Sequence, residues 1–192
     1  MKIVIFCHSI APSIDGVCRR FTGMMIELLK QGHEIVLFTL ENKPEELPAG
    51  LSDIITLPHM CFPAYPEKRV ARPNLETLSV IWRGLSKHRP DVVHVTCDGI
   101  TQMFSFVGIL LDIPVVGSFH TDIIDLIQTH DANFFQKACV ISKEYLDSLV
   151  LNSCSTTSTS FQAKLEKRAV KTEYILKTAV DTTMFNPNKR NE

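Results

Sequence analysis

Compact apolar runs alternating with amphipathic stretches predict an α/β domain: a mostly parallel sheet layered between helices. Two further observations support this class. The runs KIVIFC (2–7), EIVLFTL (34–40) and DVVHV (91–95) are short and rich in β-branched residues, as strands buried on both faces must be. Glycine and proline punctuate the junctions, as at Gly32 and Pro90.

The elements follow in order. After the strand at 2–7, a loop holding Pro12 and Gly16 leads to a helix over 18–31, where Phe21, Met24, Met25, Leu28 and Leu29 recur at helical spacing. Gly32 stops it, and 34–40 is the second strand. A polar segment leads to a third, short strand at 53–57. Prolines at 58, 63, 66 and 73 predict an irregular loop over 58–73. A helix over 75–88 ends at Pro90, a strand spans 91–95, and a helix spans 101–111. PVVGSF (114–119) is the fifth strand. A long helical region is expected from about 125 to 151, with a break near 139–142. CSTTS (154–158) reads as a strand of small residues, 161–168 as a helix and TEYIL (172–176) as the last strand.

Composition narrows the function classes. The 192 residues are 45% hydrophobic and 21% charged, enough for one domain with a substantial core. A formal net charge of -1 gives no global pull toward nucleic acid or an anionic membrane. The six cysteines are scattered, with no CxxC, which favours a reduced, cytoplasmic setting over a disulfide framework. No apolar run is long enough to cross a bilayer.

In a parallel α/β sheet, ligands bind beyond the carboxyl ends of the strands. The candidates are therefore 8–16, 58–72, 96–99 and 120–125. Gly16 stands where the first loop enters its helix, and serves either a tight turn or the close approach of a phosphate to the helix N-terminus. Arg19 and Arg20 in the first turn oppose the helix dipole, which strengthens the anion reading. No GxGxxG is present, which argues against a nicotinamide dehydrogenase. The loop CFPAYPEKRVARP (61–73) is either a lip for a sugar or lipid surface or a proline-stiffened surface loop. Asp98-Gly99 forms a polar turn at a strand end, and His94 within that strand reads as a satisfied core histidine. In GSFHTD (117–122), His120 sits at a carboxyl edge, where it can bond a substrate hydroxyl or act as acid or base. The plain alternative is that Thr121 or Asp122 caps the next helix. There is no GxSxG elbow for a serine hydrolase, and His120 and His130 are too far apart for a one-turn metal pair.

Taken together, DGVCRRFTGMMIELLKQGHEIVLFT, YPEKRVARP, RPDVVHVTCDG, PVVGSFHTD, STTSTSFQAKL and VDTTMFNP occur in an order that resembles the N-terminal domain of glycosyltransferase family 4. The branch with GDP-mannose-dependent α-mannosyltransferases and sulfoquinovosyl-lipid synthases looks closest. The resemblance implies a Rossmann-like domain over 1–180, one half of a GT-B fold, with 181–192 beginning a linker and the donor-binding domain absent. It implies retaining transfer of a hexose from GDP-mannose or a UDP-sugar to a glycan or lipid, with no cofactor and no metal. Gly16 would contact the donor diphosphate, with Arg19 and Arg20 near it. Tyr65 and Arg69 match the acceptor-side loop, and His120 the histidine that contacts the transferred sugar. Asp98, Gly99 and Asp122 would line the same cleft. Two positions depart from the family pattern: Asp15 precedes Gly16 in place of asparagine or glycine, and Ala179 replaces the glycine before VDTTMFNP. An aspartate beside a diphosphate is unfavourable unless its carboxylate points away. The paired glutamates of the EX7E motif belong to the donor domain, so this chain alone is expected to turn over little or no donor. A partner chain supplying that domain, peripheral membrane contact and, as the alternative, a non-catalytic binding subunit complete the expectations; nucleic acid is not among the partners.

Overall fold

The computed structural model describes residues 1–13, 15–42, 47–62, 65–97, 99–128, 134–177 and Asn186, without the side chains of 62, 65–68 and 126–128. Nine strands and six helices are present among these residues. Seven strands form one parallel sheet in the order β3-β2-β1-β6-β7-β8-β9. They are β1 (Lys2–Cys7), β2 (Glu34–Thr39), β3 (Asp53–Thr56), β6 (Val92–Thr96), β7 (Val115–Phe119), β8 (Ser153–Thr156) and β9 (Tyr174–Ile175). The helices are α1 (Gly16–Lys30), α2 (Leu75–His88), α3 (Thr101–Leu111), α4 (Ile123–Gln128), α5 (Phe134–Val150) and α6 (Thr159–Glu166). This is the expected Rossmann-like α/β architecture. The expected domain boundary at 180 lies outside the described residues, as do Ala179 and VDTTMFNP.

β1 shows why these sequences make strands. Ile3, Ile5 and Cys7 pack with Ile35 and Leu37 of β2 and with Phe21 and Met25 of α1 on one face. Val4 and Phe6 point the other way, into a core with Phe38, Ile81, Phe104 and Val107. A period of two with both faces apolar leaves no polar side, and all five residues from Ile3 to Cys7 are buried.

Helix ends follow local chemistry. The Asn74 side chain accepts the Thr77 N–H at 2.9 Å to start α2, and Arg89 closes it in the left-handed region before Pro90. The Ser158 hydroxyl accepts the Phe161 N–H to start α6. α1 begins two residues earlier than the apolar periodicity predicts because the Asp15 carboxylate accepts the Cys18 N–H at 2.8 Å.

Two sequence expectations are corrected. Residues 58–73 are not an irregular loop but hold an antiparallel hairpin, β4 (His59–Phe62) with β5 (Tyr65–Ala71). Pro58 and Pro73 flank it, and Pro66 lies in the segment 66–68, which bulges out of register between the Cys61–Arg69 and Phe62–Tyr65 pairs. A two-stranded ribbon tolerates proline where no ladder N–H is needed. The long helical region does not break near 139–142: α5 runs through it, from Phe134 to Val150. α5 is also inverted relative to a usual amphipathic helix, with Glu144 and Asp147 buried and Tyr145, Leu146 and Leu149 exposed.

No disulfide joins the six cysteines, all of them described. Among the described residues no helix is long and apolar enough to cross a membrane. Packing is close at Gly117 in β7, where a Cβ would lie 2.4 Å from Leu151 Cδ1 and 2.8 Å from Cys97 Sγ.

Candidate functional site at the switch point of the sheet

The chain leaves β1 toward β2 and β3, then returns to lay β6 on the other side of β1. A crevice opens at such a reversal, beyond the carboxyl ends of the two strands. His8 follows β1 and Thr96 ends β6, and their side chains meet there, Nδ1 to Oγ1 at 3.2 Å. β7, next in the sheet, brings Ser118 and His120 to the same edge.

His120 is held from two sides. Its Nε2 lies 2.7 Å from the Ser118 hydroxyl, and the Phe21 ring of α1 packs on it, edge to face, with centroids 5.2 Å apart. The same phenyl ring contacts His94 at 5.4 Å. Phe21 lies five residues beyond Gly16, so α1 links the first loop to the His120 edge.

Gly16 opens α1. A Cβ there would touch no protein atom within 4 Å, and its φ is not in the left-handed region. Neither packing nor backbone conformation thus requires glycine at this exposed position. The Asp15 carboxylate is engaged by the Cys18 N–H and by the Ser9 hydroxyl. The Asp15 carboxylate is thus committed to its own helix and loop. Arg19 is exposed. Arg20 donates to the carbonyls of Leu176 and Lys177, so it fastens the chain after β9, and burial pulls its guanidinium below its usual range.

The other expected residues divide. Arg69, on the hairpin, pairs with Glu41 just after β2 and so anchors the ribbon to the carboxyl side of the sheet. Tyr65 pairs with Phe62 along the hairpin backbone, but its side chain is not described. Asp98 and His130 lie outside the described residues. Gly99 has φ +78, which a side chain would strain. Asp122 does what the plain reading of GSFHTD allowed: its Oδ1 accepts the Asp125 N–H at 3.3 Å at the start of α4. It also accepts from Arg168 at 2.9 Å, while Lys164 lies 3.2 Å from Oδ2. Burial acts to raise the Asp122 carboxyl, but Arg168, the Asp125 N–H and Lys164 outweigh it and hold it below the ordinary range.

Several polar residues were missed in the sequence. Glu144 accepts from Arg168 at 3.2 Å and is otherwise buried, and that burial pushes its carboxyl up against the pull of Arg168. Lys143 reaches from α5 to the Cys97 carbonyl at 3.0 Å and pairs with buried Asp147. Ser118 was passed over although it shares a face of β7 with His120, two residues on. His94 is, as expected, satisfied: its Nε2 lies 2.8 Å from Ser118 Oγ. Burial, helped by the charge of Arg20, pushes its imidazole down to about 4, so it is neutral near neutrality.

A Rossmann-like half with polar side chains gathered at the switch point is the architecture of a ligand-binding α/β domain. The sequence pattern of Glycosyltransferase Family 4 matches residues 14–153. The chain belongs to that family. It is 26% identical over 135 residues to an alpha-monoglucosyldiacylglycerol synthase of Streptococcus pneumoniae, a match covering 66% of this chain and 28% of that protein. It is 23% identical over 197 residues to a GDP-mannose-dependent alpha-mannosyltransferase of Mycolicibacterium smegmatis, covering 100% of this chain and 51% of the relative. The chain thus spans between about a quarter and a half of the length of these curated relatives. Its fold is similar to that of sucrose-phosphate synthase from Thermosynechococcus elongatus, with TM-score 0.63 and 16% identity, over 95% of this chain and 49% of that one. It is also similar to that of Anabaena HepE in complex with UDP-glucose, with TM-score 0.57 and 11% identity, over 98% and 47% of the two chains. The domain has the fold of one half of a GT-B glycosyltransferase, as expected.

Proposed function

We propose that this chain forms the acceptor-side half of a retaining glycosyltransferase that moves a hexose from GDP-mannose or a UDP-sugar to a glycan or lipid. One observation carries the reading: Gly16, whose glycine identity the protein itself does not require, opens α1 on the same side of the sheet as His120. A helix N-terminus without a side chain lets backbone N–H groups approach a diphosphate. His120 then contacts the sugar being transferred, with Gly99, Asp98 and Asp122 around the crevice and Tyr65 and Arg69 on the acceptor side. No metal or other cofactor takes part, and electrostatic stabilisation of the departing diphosphate is the main catalytic task. A donor-binding half completes the cleft, so the chain alone releases little nucleotide.

The test is nucleotide release from GDP-mannose and UDP-glucose, by this chain alone and by the two-domain assembly. His120→Ala should lower release by the assembly by about 10²-fold or more. Gly16→Ala should leave thermal stability unchanged and raise KM, because its methyl group intrudes on the phosphate rather than on the protein. Robust turnover by the chain alone would refute the half-enzyme reading. Release by the assembly that is indifferent to His120 would refute the assignment of that residue.

A lipid acceptor is supported by the diacylglycerol product in the name of one relative and by the exposed Phe106, Ile109 and Leu110 on α3. A peripheral contact through this face predicts flotation with vesicles containing diacylglycerol, reduced several-fold in Ile109→Ser with Leu110→Ser. No flotation, or flotation that survives the double change, would rule that contact out.

A further inference from the structure

The geometry points to Ser118 and His94 as positioning residues that tie the tautomer of His120 to that of His94. The inference rests on the reading of His120 as the histidine that contacts sugar. It starts from one hydroxyl placed between two imidazoles. Ser118 Oγ lies 2.8 Å from His94 Nε2 and 2.7 Å from His120 Nε2, and Ser118 is only 1% exposed, so water is no ready substitute for either partner.

A serine hydroxyl has one proton to donate. Its oxygen could accept from both rings, but then its own proton would be buried without an acceptor, because among the described residues the two Nε2 atoms are the only hydrogen-bond partners of Ser118 Oγ. It therefore donates to one and accepts from the other. One of those nitrogens carries a proton and the other is bare. If His120 Nε2 bears the proton, the neutral ring leaves Nδ1 as an acceptor; if His94 Nε2 bears it, His120 Nδ1 becomes a donor. The hydroxyl thus couples the tautomer of a histidine inside β6 to that of a histidine at the crevice. Protonation of His120 is compatible only with the first arrangement, in which the Ser118 hydroxyl donates its hydrogen bond to a bare His94 nitrogen. The low affinity of His94 for a second proton keeps that nitrogen available, and Arg20 is the neighbouring charge that works in the same direction. Phe21 restrains both rings, with centroids at 5.4 and 5.2 Å, so the two imidazoles are not independent rotors.

The arrangement makes a statement that a merely structural serine would not. Nitrogen-15 spectra of the histidine-labelled chain at pH 7.5 should show one protonated and one bare Nε2 in the His94–His120 pair. Ser118→Ala should remove this complementarity, so that at least one ring changes its tautomer, while the chain remains folded by amide spectra. Ser118→Thr, which keeps the hydroxyl, should restore the wild-type pattern. Two protonated or two bare Nε2 atoms in the wild type would overturn the proposal, and so would spectra unchanged in Ser118→Ala. Because the readout needs no substrate, its failure is distinct from failure of the transferase reading, which nucleotide release by the His120→Ala assembly decides.

Discussion

Arg168→Met should be among the most destabilising single changes in this domain, lowering unfolding free energy at pH 7.5 by about 3–5 kcal/mol. The guanidinium bridges Asp122 at 2.9 Å and Glu144 at 3.2 Å, with both carboxylates largely withdrawn from water. Methionine keeps the length and apolar stem of the side chain but leaves two carboxylates without their shared cation. Glu144 suffers more, because its Oε1 has no hydrogen-bond partner and Arg168 supplies Oε2. Removing a partner from a buried pair costs far more than the pair itself contributes, since the remaining charge keeps its desolvation penalty. The pH dependence has a definite sign. Arg168 lowers both carboxyls, so without it they titrate higher than in the wild-type fold; the variant's folded state binds more protons, and its deficit grows as pH rises. Urea melts at pH 7.5 and 5 should therefore show the deficit shrinking toward acid. A deficit below about 1 kcal/mol at pH 7.5 would mean that the cluster is solvated as an ordinary surface pair.

His94 should make the domain acid-sensitive. Its imidazole takes a proton near 6.5 when unfolded but only near 4 when folded, because burial and then Arg20 oppose the charge. Between those values the unfolded chain binds more protons, so stability is complete above pH 6.5 and is lost progressively as pH falls through 4. The interval corresponds to about 3 kcal/mol. His94→Gln, which cannot titrate, should remove that component. Between pH 7.5 and 4.5 the wild type should lose about 2–3 kcal/mol more than the variant in denaturant melts. Parallel losses in the two proteins would place the acid sensitivity elsewhere.

Most of the sheet was readable from residue pattern, because strands buried on two faces have nowhere to hide polar side chains. KIVIFC and DVVHV identified themselves in this way, and β1 and β6 end within a residue of expectation. The β4–β5 hairpin was not readable. Its prolines suggested punctuation, while its pairing depends on a register shift between Cys61 and Phe62 and on a bulge that absorbs Pro66. The site was legible in part. GSFHTD announced a histidine at a strand end, but which acidic residue stood near it and which was bound elsewhere depended on α6. Lys164 and Arg168 lie some forty residues beyond Asp122, and no local pattern assigns their charges to it. The inverted face of α5 hid Glu144 and Asp147 in the same way, since periodicity alone places charges outside. Ser118 was overlooked because a serine in a strand has no periodic signature; its value comes from His94, which lies on the neighbouring strand in the Thr96–Ser118 register.

The absence of a side chain at Gly117 sets the height of β7 against the turn that holds Leu151. That strand also carries the hydroxyl and the imidazole at the crevice, and its Ser118 carbonyl accepts the Cys97 N–H at 3.1 Å. A methyl group at 117 would have to push aside Leu151 or Cys97, and the displacement would travel three residues along the chain to His120. Tolerance to sequence drift in the apolar interior and accuracy at the crevice are therefore not separate properties here. Repacking around Leu151 would move Ser118 and His120 along with the core.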